Sequence, residues 1–176
     1  MAKVGIFFGT DTGNTRKIAK AIAQKLGDVA SKPDNIKNVE VDALLAYDVL
    51  IMGSPTYGEG ELPGLSAGTS TESWEEFLPK LAGADFSGKT IALYGLGDQE
   101  GYPGNFVDAL GMLYDAFADA GAKFIGFTST DGYSYDRSKA ELDGQFVGLV
   151  LDEDNQKDQT EGRLSAWLAD IAPAWQ

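Results

Sequence analysis

Short, wholly apolar runs alternate along this chain with longer amphipathic stretches, and that alternation limits the available folds more than any other feature. Lys3–Phe8, Val49–Met52 and Thr90–Leu96 lack the regular polar positions of a half-solvated strand. Each reads as a strand buried on both faces. Thr15–Leu26 places Ile18, Ile22 and Leu26 four residues apart with bases on the opposite face, and Gly27 is a natural stop. Trp74, Phe77, Leu78 and Leu81 mark a second helix face, and Phe106, Leu110, Leu113 and Phe117 a third, closed by Gly121. A terminal helix carries Leu164, Trp167, Leu168 and Ile171. Val39–Val41 is expected as a short strand, and Lys123–Phe127 starts a fifth. Thr128–Gln145 is a polar excursion rich in Asp, Ser, Gly and Tyr, after which Phe146–Leu151 resumes a strand-like run. About five β-α units follow in sequence. They predict one doubly wound α/β domain over residues 1–176, built on a parallel sheet.

Composition narrows the chemistry. The 176 residues contain no Cys and no His. Disulfides, thiol nucleophiles and iron–sulfur ligation are therefore excluded, along with the usual zinc ligand and the commonest neutral-pH base. Redox chemistry would need an organic cofactor, and no metal site is expected. No apolar run approaches the ~18–20 residues that span a bilayer. The apolar N-terminal run is short and lacks a small-residue cleavage site, so a strand and a cytoplasmic protein are expected. The net charge of −13 disfavours nucleic acid and anionic membranes as partners. Residues 1–37 hold seven bases and three acids, so the acids concentrate in the remainder. Simple solubility accounts for such a charge, and so does an acidic docking face for a basic partner.

In a doubly wound sheet, ligands bind beyond the C-terminal strand ends, where strand order reverses. The candidate loops are 9–15, 54–63 and 97–106, all rich in Gly, Thr and Tyr. Thr10-Asp11-Thr12-Gly13-Asn14-Thr15 joins a strand to a helix, where backbone N–H groups, the dipole and hydroxyls favour a phosphate. It lacks the Walker lysine and is not Gly-x-Gly-x-x-Gly. One terminal monophosphate suits it; an ordinary Thr-capped helix start fits the same residues. Tyr57 and Tyr102 each sit on one of the other loops, where two aromatic platforms could sandwich a flat ring. Either tyrosine taken alone also fits a surface or core position.

These motifs resemble the flavodoxins, specifically the long-chain branch, and the resemblance runs essentially end to end. It is carried by Gly9–Thr15, Pro55-Thr56, Gly60-Glu61-Leu62, Trp74-Glu75, Phe86-Ser87-Gly88-Lys89, Gly97-Asp98-Gln99, Gly101-Tyr102, Asn105-Phe106, Thr130-Asp131-Gly132-Tyr133 and Phe146-Val147-Gly148-Leu149, and by the run Leu151–Gln156. Residues 128–145 correspond to the long-chain insertion, in the last strand. The strand order 2-1-3-4-5, with FMN at the switch point, belongs to the family and is not a deduction from this sequence. Gly64–Ser73 resembles the extension of flavodoxins that serve nitrogen fixation. Tyr57 stands where the family often has Trp.

The resemblance implies FMN as cofactor, with Thr10, Asp11, Thr12, Gly13, Asn14 and Thr15 on the phosphate. Tyr102 would cover the outer ring face and Tyr57 the inner. The remaining cofactor contacts would come from Pro55, Thr56, Gly58, Glu59, Gly60, Leu96, Gly97, Asp98, Asn105 and Phe106. The Gly58 carbonyl would turn to accept the proton that one-electron reduction places on the flavin N5. The implied function is a low-potential one-electron carrier cycling between semiquinone and hydroquinone, not a substrate-turnover enzyme. Glu59, Glu61, Glu72, Glu75, Glu76, Asp98, Glu100 and Asp152–Asp154 would form the docking face of a monomer. Nitrogenase reductase is the favoured acceptor, with an NADP-dependent flavodoxin reductase or a pyruvate oxidoreductase as donor. An FMN-dependent quinone or nitro reductase on the same fold is the alternative. A cofactor-free phosphate-responsive receiver fits worse, because Phe8-Gly9-Thr10 ends the first strand without an acid pair.

Overall fold

Three of the apolar runs lie side by side as parallel strands. The computed structural model describes residues 2–9 and 13–176. In chain order the elements are β1 (Val4–Phe8), α1 (Asn14–Leu26), β2 (Asp34–Asn35), α2 (Val41–Leu45), β3 (Val49–Pro55), α3 (Trp74–Phe77), β4 (Thr90–Leu96), α4 (Asp108–Asp119), β5 (Lys123–Ile125), β6 (Thr128–Ser129), β7 (Glu141–Leu142), β8 (Gln145–Phe146), β9 (Leu149–Leu151) and α5 (Thr160–Ile171). The main sheet runs β2-β1-β3-β4-β5, and β9 also pairs with β4. Every pairing in it is parallel.

Strand alternation explains why β1, β3 and β4 are apolar throughout. Val4, Ile6, Phe8, Ile51, Ala92, Tyr94 and Leu96 face α1 and α5, packing with Ile18, Ile22, Leu164 and Trp167. Phe7, Leu50, Met52, Ile91 and Leu93 face the other way, onto Trp74, Phe77, Leu110 and Phe117. Each strand therefore feeds two cores, and each fully buried large side chain contributes roughly 1.5–3 kcal/mol. Trp74 also satisfies its one polar atom: Nε1 donates to the Gly53 carbonyl at 2.9 Å.

The fifth strand is split. β5 pairs with the first half of β4 (Thr90↔Lys123) and β9 with the second (Leu96↔Leu151). Between them the excursion folds into a small antiparallel sheet, β6-β8-β7. Thr128 Oγ1 donates to the Gly148 carbonyl at 2.6 Å where the chain rejoins the main sheet. A Cβ on Gly148 would lie 2.2 Å from the Leu93 carbonyl oxygen, so the close approach requires glycine there. Tyr133 and Tyr135 of the excursion cluster with Phe106 and Phe146, with ring centroids 5.2–6.1 Å apart. Arg163 of α5 stacks 4.1 Å above Tyr133.

Two local expectations change. The strand expected at Val39–Val41 is instead Asp34–Asn35, paired with Phe7–Phe8. Val39 is extended, but its N–H donates to Ile36 O to close a 3-10 turn, and Val41 begins α2. The helix expected from Trp74 to Leu81 is one short α-turn, Trp74–Phe77, followed by a 3-10 turn, Leu78–Leu81. Pro79 explains the change, because it lacks the N–H that an α-helical bond needs. No helix of the described residues is long and apolar enough to cross a membrane.

Candidate functional site

The reversal of strand order between β1 and β3 leaves a cleft at the C-terminal strand ends, as expected for such a sheet. Its volume is about 300 Å³, and its walls come from the start of α1, the loops after β3 and β4, and the chain after β9.

The end of the cleft expected to take a phosphate is built on α1. Asn14 and Thr15 line the cleft, and Gly13 precedes the helix with φ 100°, a left-handed conformation that favours glycine. The first turn carries no acidic residue. Its N–H groups and helix dipole thus meet no side-chain anion of their own turn. Thr15 is 1% exposed, and its Oγ1 is buried with no hydrogen-bond partner among the described residues. A buried hydroxyl without a partner is costly unless a ligand satisfies it. Thr10, Asp11 and Thr12, also expected at this end, lie outside the described residues.

The loop after β3 supplies Pro55, Thr56, Tyr57 and Gly58. Tyr57 and Glu61 exchange backbone bonds, N–H to carbonyl, at 2.8 and 2.6 Å. This pins a tight turn whose tip is exposed and whose Gly58 has φ 49°. Thr56 is partly structural: its Oγ1 accepts from the Ala109 N–H at 3.2 Å and so caps the start of α4.

The loop after β4 supplies Leu96, Gly97, Asp98, Tyr102, Asn105, Phe106 and Val107. Gly97 N–H donates to Leu151 O at 3.1 Å, which anchors the loop's root. Asp98 Oδ1 accepts from the N–H groups of Glu100 (3.1 Å) and Gly101 (2.8 Å), turning the chain toward Tyr102. Tyr102 stands out from the protein, 48% exposed, at the edge of the cleft. Phe106 contacts the cleft, but its ring is fully buried in the aromatic cluster it shares with the excursion. Val107 has φ 48°, an uncommon left-handed conformation for a β-branched residue, as the chain turns into α4.

Not every expected residue reaches the cleft. Gly13, Glu59 and Gly60 are absent from its walls. Gly60 turns toward α4 instead: a Cβ there would lie 2.7 Å from Asp108 Oδ2. Glu59 sits on the exposed tip of the turn. The structure adds three wall residues outside the expected set, namely Val107, Glu153 and Asp154. Glu153 and Asp154 were expected only as docking residues, and the cue to their second role is their place directly after an apolar run that ends at the sheet's C-terminal edge. Asp152, expected beside them on the docking face, is instead fully buried, because its carboxylate turns inward to backbone and side-chain N–H groups.

These acids give the cleft a negative rim. Carboxylate oxygens of Asp98, Asp152 and Asp154 lie within 4.8 Å of one another. Asp98 is held below the usual carboxylate range, first by the Gly101 N–H and next by the Asn155 amide. Asp154 is pushed up, first by slight desolvation of a largely exposed side chain and then by the charges of Asp98, Asp152 and Glu153.

Known proteins share this arrangement. A family model described as flavodoxin matches residues 6–167. The flavodoxin of Klebsiella pneumoniae is 54% identical over 171 residues, covering 97% of each chain. One from Enterobacter agglomerans is 49% identical over 99% of each. The flavodoxin of Fusobacterium nucleatum, solved bound to flavin mononucleotide, superposes with a TM-score of 0.88 at 36% identity over 100% of both chains. A family model matching residues 6–167, with relatives 49–54% identical over nearly the whole chain, means that the chain belongs to the flavodoxin family.

Proposed function

We propose that this protein holds one FMN in the cleft and carries single electrons at low potential between redox enzymes. The observation that carries the reading is the buried Thr15 Oγ1, without a partner among the described residues, at the start of α1 in the wall of a cleft that Tyr57 and Tyr102 also line. When bound, FMN supplies one-electron chemistry that the side chains of this Cys- and His-free chain do not.

The chain's own contributions follow from the geometry. Thr15 and the first N–H groups of α1 bind the phosphate, together with Thr10, Asp11 and Thr12 from the same loop. Tyr102 and Tyr57 orient the ring by stacking and exclude water from its faces. Backbone groups of Gly97 and Asp98, on a loop fixed to β9, meet the polar edge of the ring. Gly58 offers a carbonyl acceptor on an exposed turn, where glycine permits the peptide to rotate.

The acidic rim sets the direction of the potential. A carboxylate ~10 Å away, at an effective dielectric of ~20, disfavours an added negative charge by roughly 1.7 kcal/mol. For a one-electron couple that is on the order of 70 mV before salt screening. Asp98, Glu153 and Asp154 all act in this sense, as does Glu100 beside Tyr102. Together with Glu59, Glu61, Glu72, Glu75 and Glu76 they form the face that meets basic partners.

Nitrogenase reductase is the acceptor this reading favours, with NADP-dependent flavodoxin reductase or pyruvate oxidoreductase as donor. The protein works as a monomer whose acidic face meets one partner at a time. The Gly64–Ser73 segment supports the nitrogen-fixation assignment and is tied to a residue of the proposed docking face: Leu65 N–H donates to Glu76 Oε2 at 3.2 Å. Stopped-flow oxidation of the reduced holoprotein by nitrogenase reductase tests the assignment. Fast transfer that slows steeply with added salt supports it, and salt-independent or absent transfer refutes it.

A further inference from the structure

One buried carboxylate ties two walls of the cleft together without lining it. Asp152 is fully buried and Gln99 is 4% exposed. Neither belongs to the cleft walls, although their neighbours Asp98, Glu153 and Asp154 all do. Asp152 Oδ2 accepts from the Gln99 backbone N–H at 3.1 Å and from Gln99 Nε2 at 2.7 Å. Asp152 Oδ1 accepts from the N–H groups of Asp154 (3.1 Å) and Asn155 (3.0 Å). Asn155 Nδ2 reaches both Asp152 oxygens, at 3.2 and 3.0 Å, and Asp98 Oδ1 at 2.7 Å.

The network extends into the excursion. Gln99 Oε1 accepts from the Ser134 N–H at 2.7 Å. On the same side, Pro103 O accepts from the N–H groups of Asp136 (2.8 Å) and Arg137 (3.0 Å), and Arg137 O accepts from Phe106 N–H at 3.2 Å. The 97–106 loop is thus held at its start by Asp152 and at its end by the excursion. Among the described residues, Gln99 is the one side chain that bonds to both supports. A buried, desolvated carboxylate with donors on both oxygens is costly to break and so fixes geometry firmly.

We propose that Asp152 and Gln99 are positioning residues for the ring end of the cofactor, holding the 97–106 and 153–155 walls in register so that the ring is recognised. The proposal rests on the FMN reading above. It locates the excursion's contribution in ring recognition and leaves the phosphate end to α1.

Riboflavin, which lacks the phosphate, separates the two ends. Gln99→Met keeps bulk but loses the side-chain bonds to Asp152 and Ser134. Asp152 retains four donors, and Ser134 is exposed enough for water to replace its partner. Fluorescence titration of the apoprotein variants should show Gln99→Met weakening FMN and riboflavin equally, by about tenfold, as expected for lost buried hydrogen bonds. Thr15→Ala should weaken FMN and spare riboflavin. A Gln99→Met protein that binds both as wild type, or loses FMN alone, overturns the proposal. Hydrogen exchange in the wild-type apoprotein needs no variant. The Gln99 amide should exchange far more slowly than the exposed Glu100 amide beside it, and equal rates overturn the proposal. Wild-type protein that binds neither flavin refutes the cofactor reading itself, an outcome distinct from a wild type that binds both while Gln99→Met is indifferent.

Discussion

The Tyr94 hydroxyl donates to the Thr15 carbonyl oxygen at 2.9 Å, joining the centre of the sheet to the first turn of α1. Both residues are buried, and burial pushes the Tyr94 phenol up from its ordinary value, which keeps it a donor across the working pH range. Thr15, which lines the end of the cleft proposed for the phosphate, is thereby fixed from below. Tyr94→Phe should cost about 1 kcal/mol of stability, or ~2–4 °C in Tm. It should also weaken FMN more than riboflavin, since it loosens only the helix start. An unchanged Tm would show that the bond carries no net stability.

Gly53 is required by the same tyrosine. A Cβ on Gly53 would lie 1.9 Å from Tyr94 Cζ, inside a ring that is itself fully enclosed. Gly53→Ala should therefore destabilise at or beyond the upper end of overpacking costs, about 3 kcal/mol. Adding Tyr94→Leu should recover part of that loss, a non-additivity that urea unfolding of the double variant would measure.

Tyr102 presents the opposite case. At 48% exposure its ring contributes little to the core. Tyr102→Ala should leave the urea midpoint of the apoprotein unchanged. Flavin affinity should fall ~10–100-fold, from the loss of roughly 1.5–3 kcal/mol of stacking. A destabilised apoprotein with undiminished affinity would place Tyr102 in the fold and not in the site.

Asp98 and Asp154 respond to pH with opposite signs. Asp98 is depressed, so its stabilising contribution is present above the ordinary carboxylate pKa and is lost as pH falls through its folded value. Asp154 is raised, so its ionisation destabilises the folded protein at neutral pH, and the penalty is relieved as pH falls through its folded value. Asp154→Asn should stabilise the apoprotein at pH 7 by a few tenths of a kcal/mol, because the side chain is exposed and screened. The difference should shrink toward acid pH, as urea titrations at pH 7 and below its folded pKa would show.

The legible parts of the fold are those where one residue type answers one physical demand. β1, β3 and β4 announced themselves because each must serve two cores, leaving no polar position to blur the run. The three loops were legible because Gly, Thr and Tyr gather at strand ends only where backbone, hydroxyl and ring are all useful. β2 was not legible, since two residues at a sheet edge, Asp34 and Asn35, carry no periodicity. Glu153 and Asp154 were missed as wall residues because their position depends on where β9 meets β4. That register is set far along the chain, by Gly148 closing on Leu93. The Gln99–Asp152 bond joins residues 53 positions apart, and no local pattern signals such a contact.

The central claim is that the cleft holds FMN and uses it to move electrons singly. An anaerobic reductive titration of the FMN-loaded protein, followed by its visible spectrum, tests this most directly. The account predicts stoichiometric flavin and two well-separated one-electron steps, the second at a potential well below that of free FMN. A single two-electron step, rapid oxidation of NAD(P)H by the protein alone, or failure to take up FMN would contradict it.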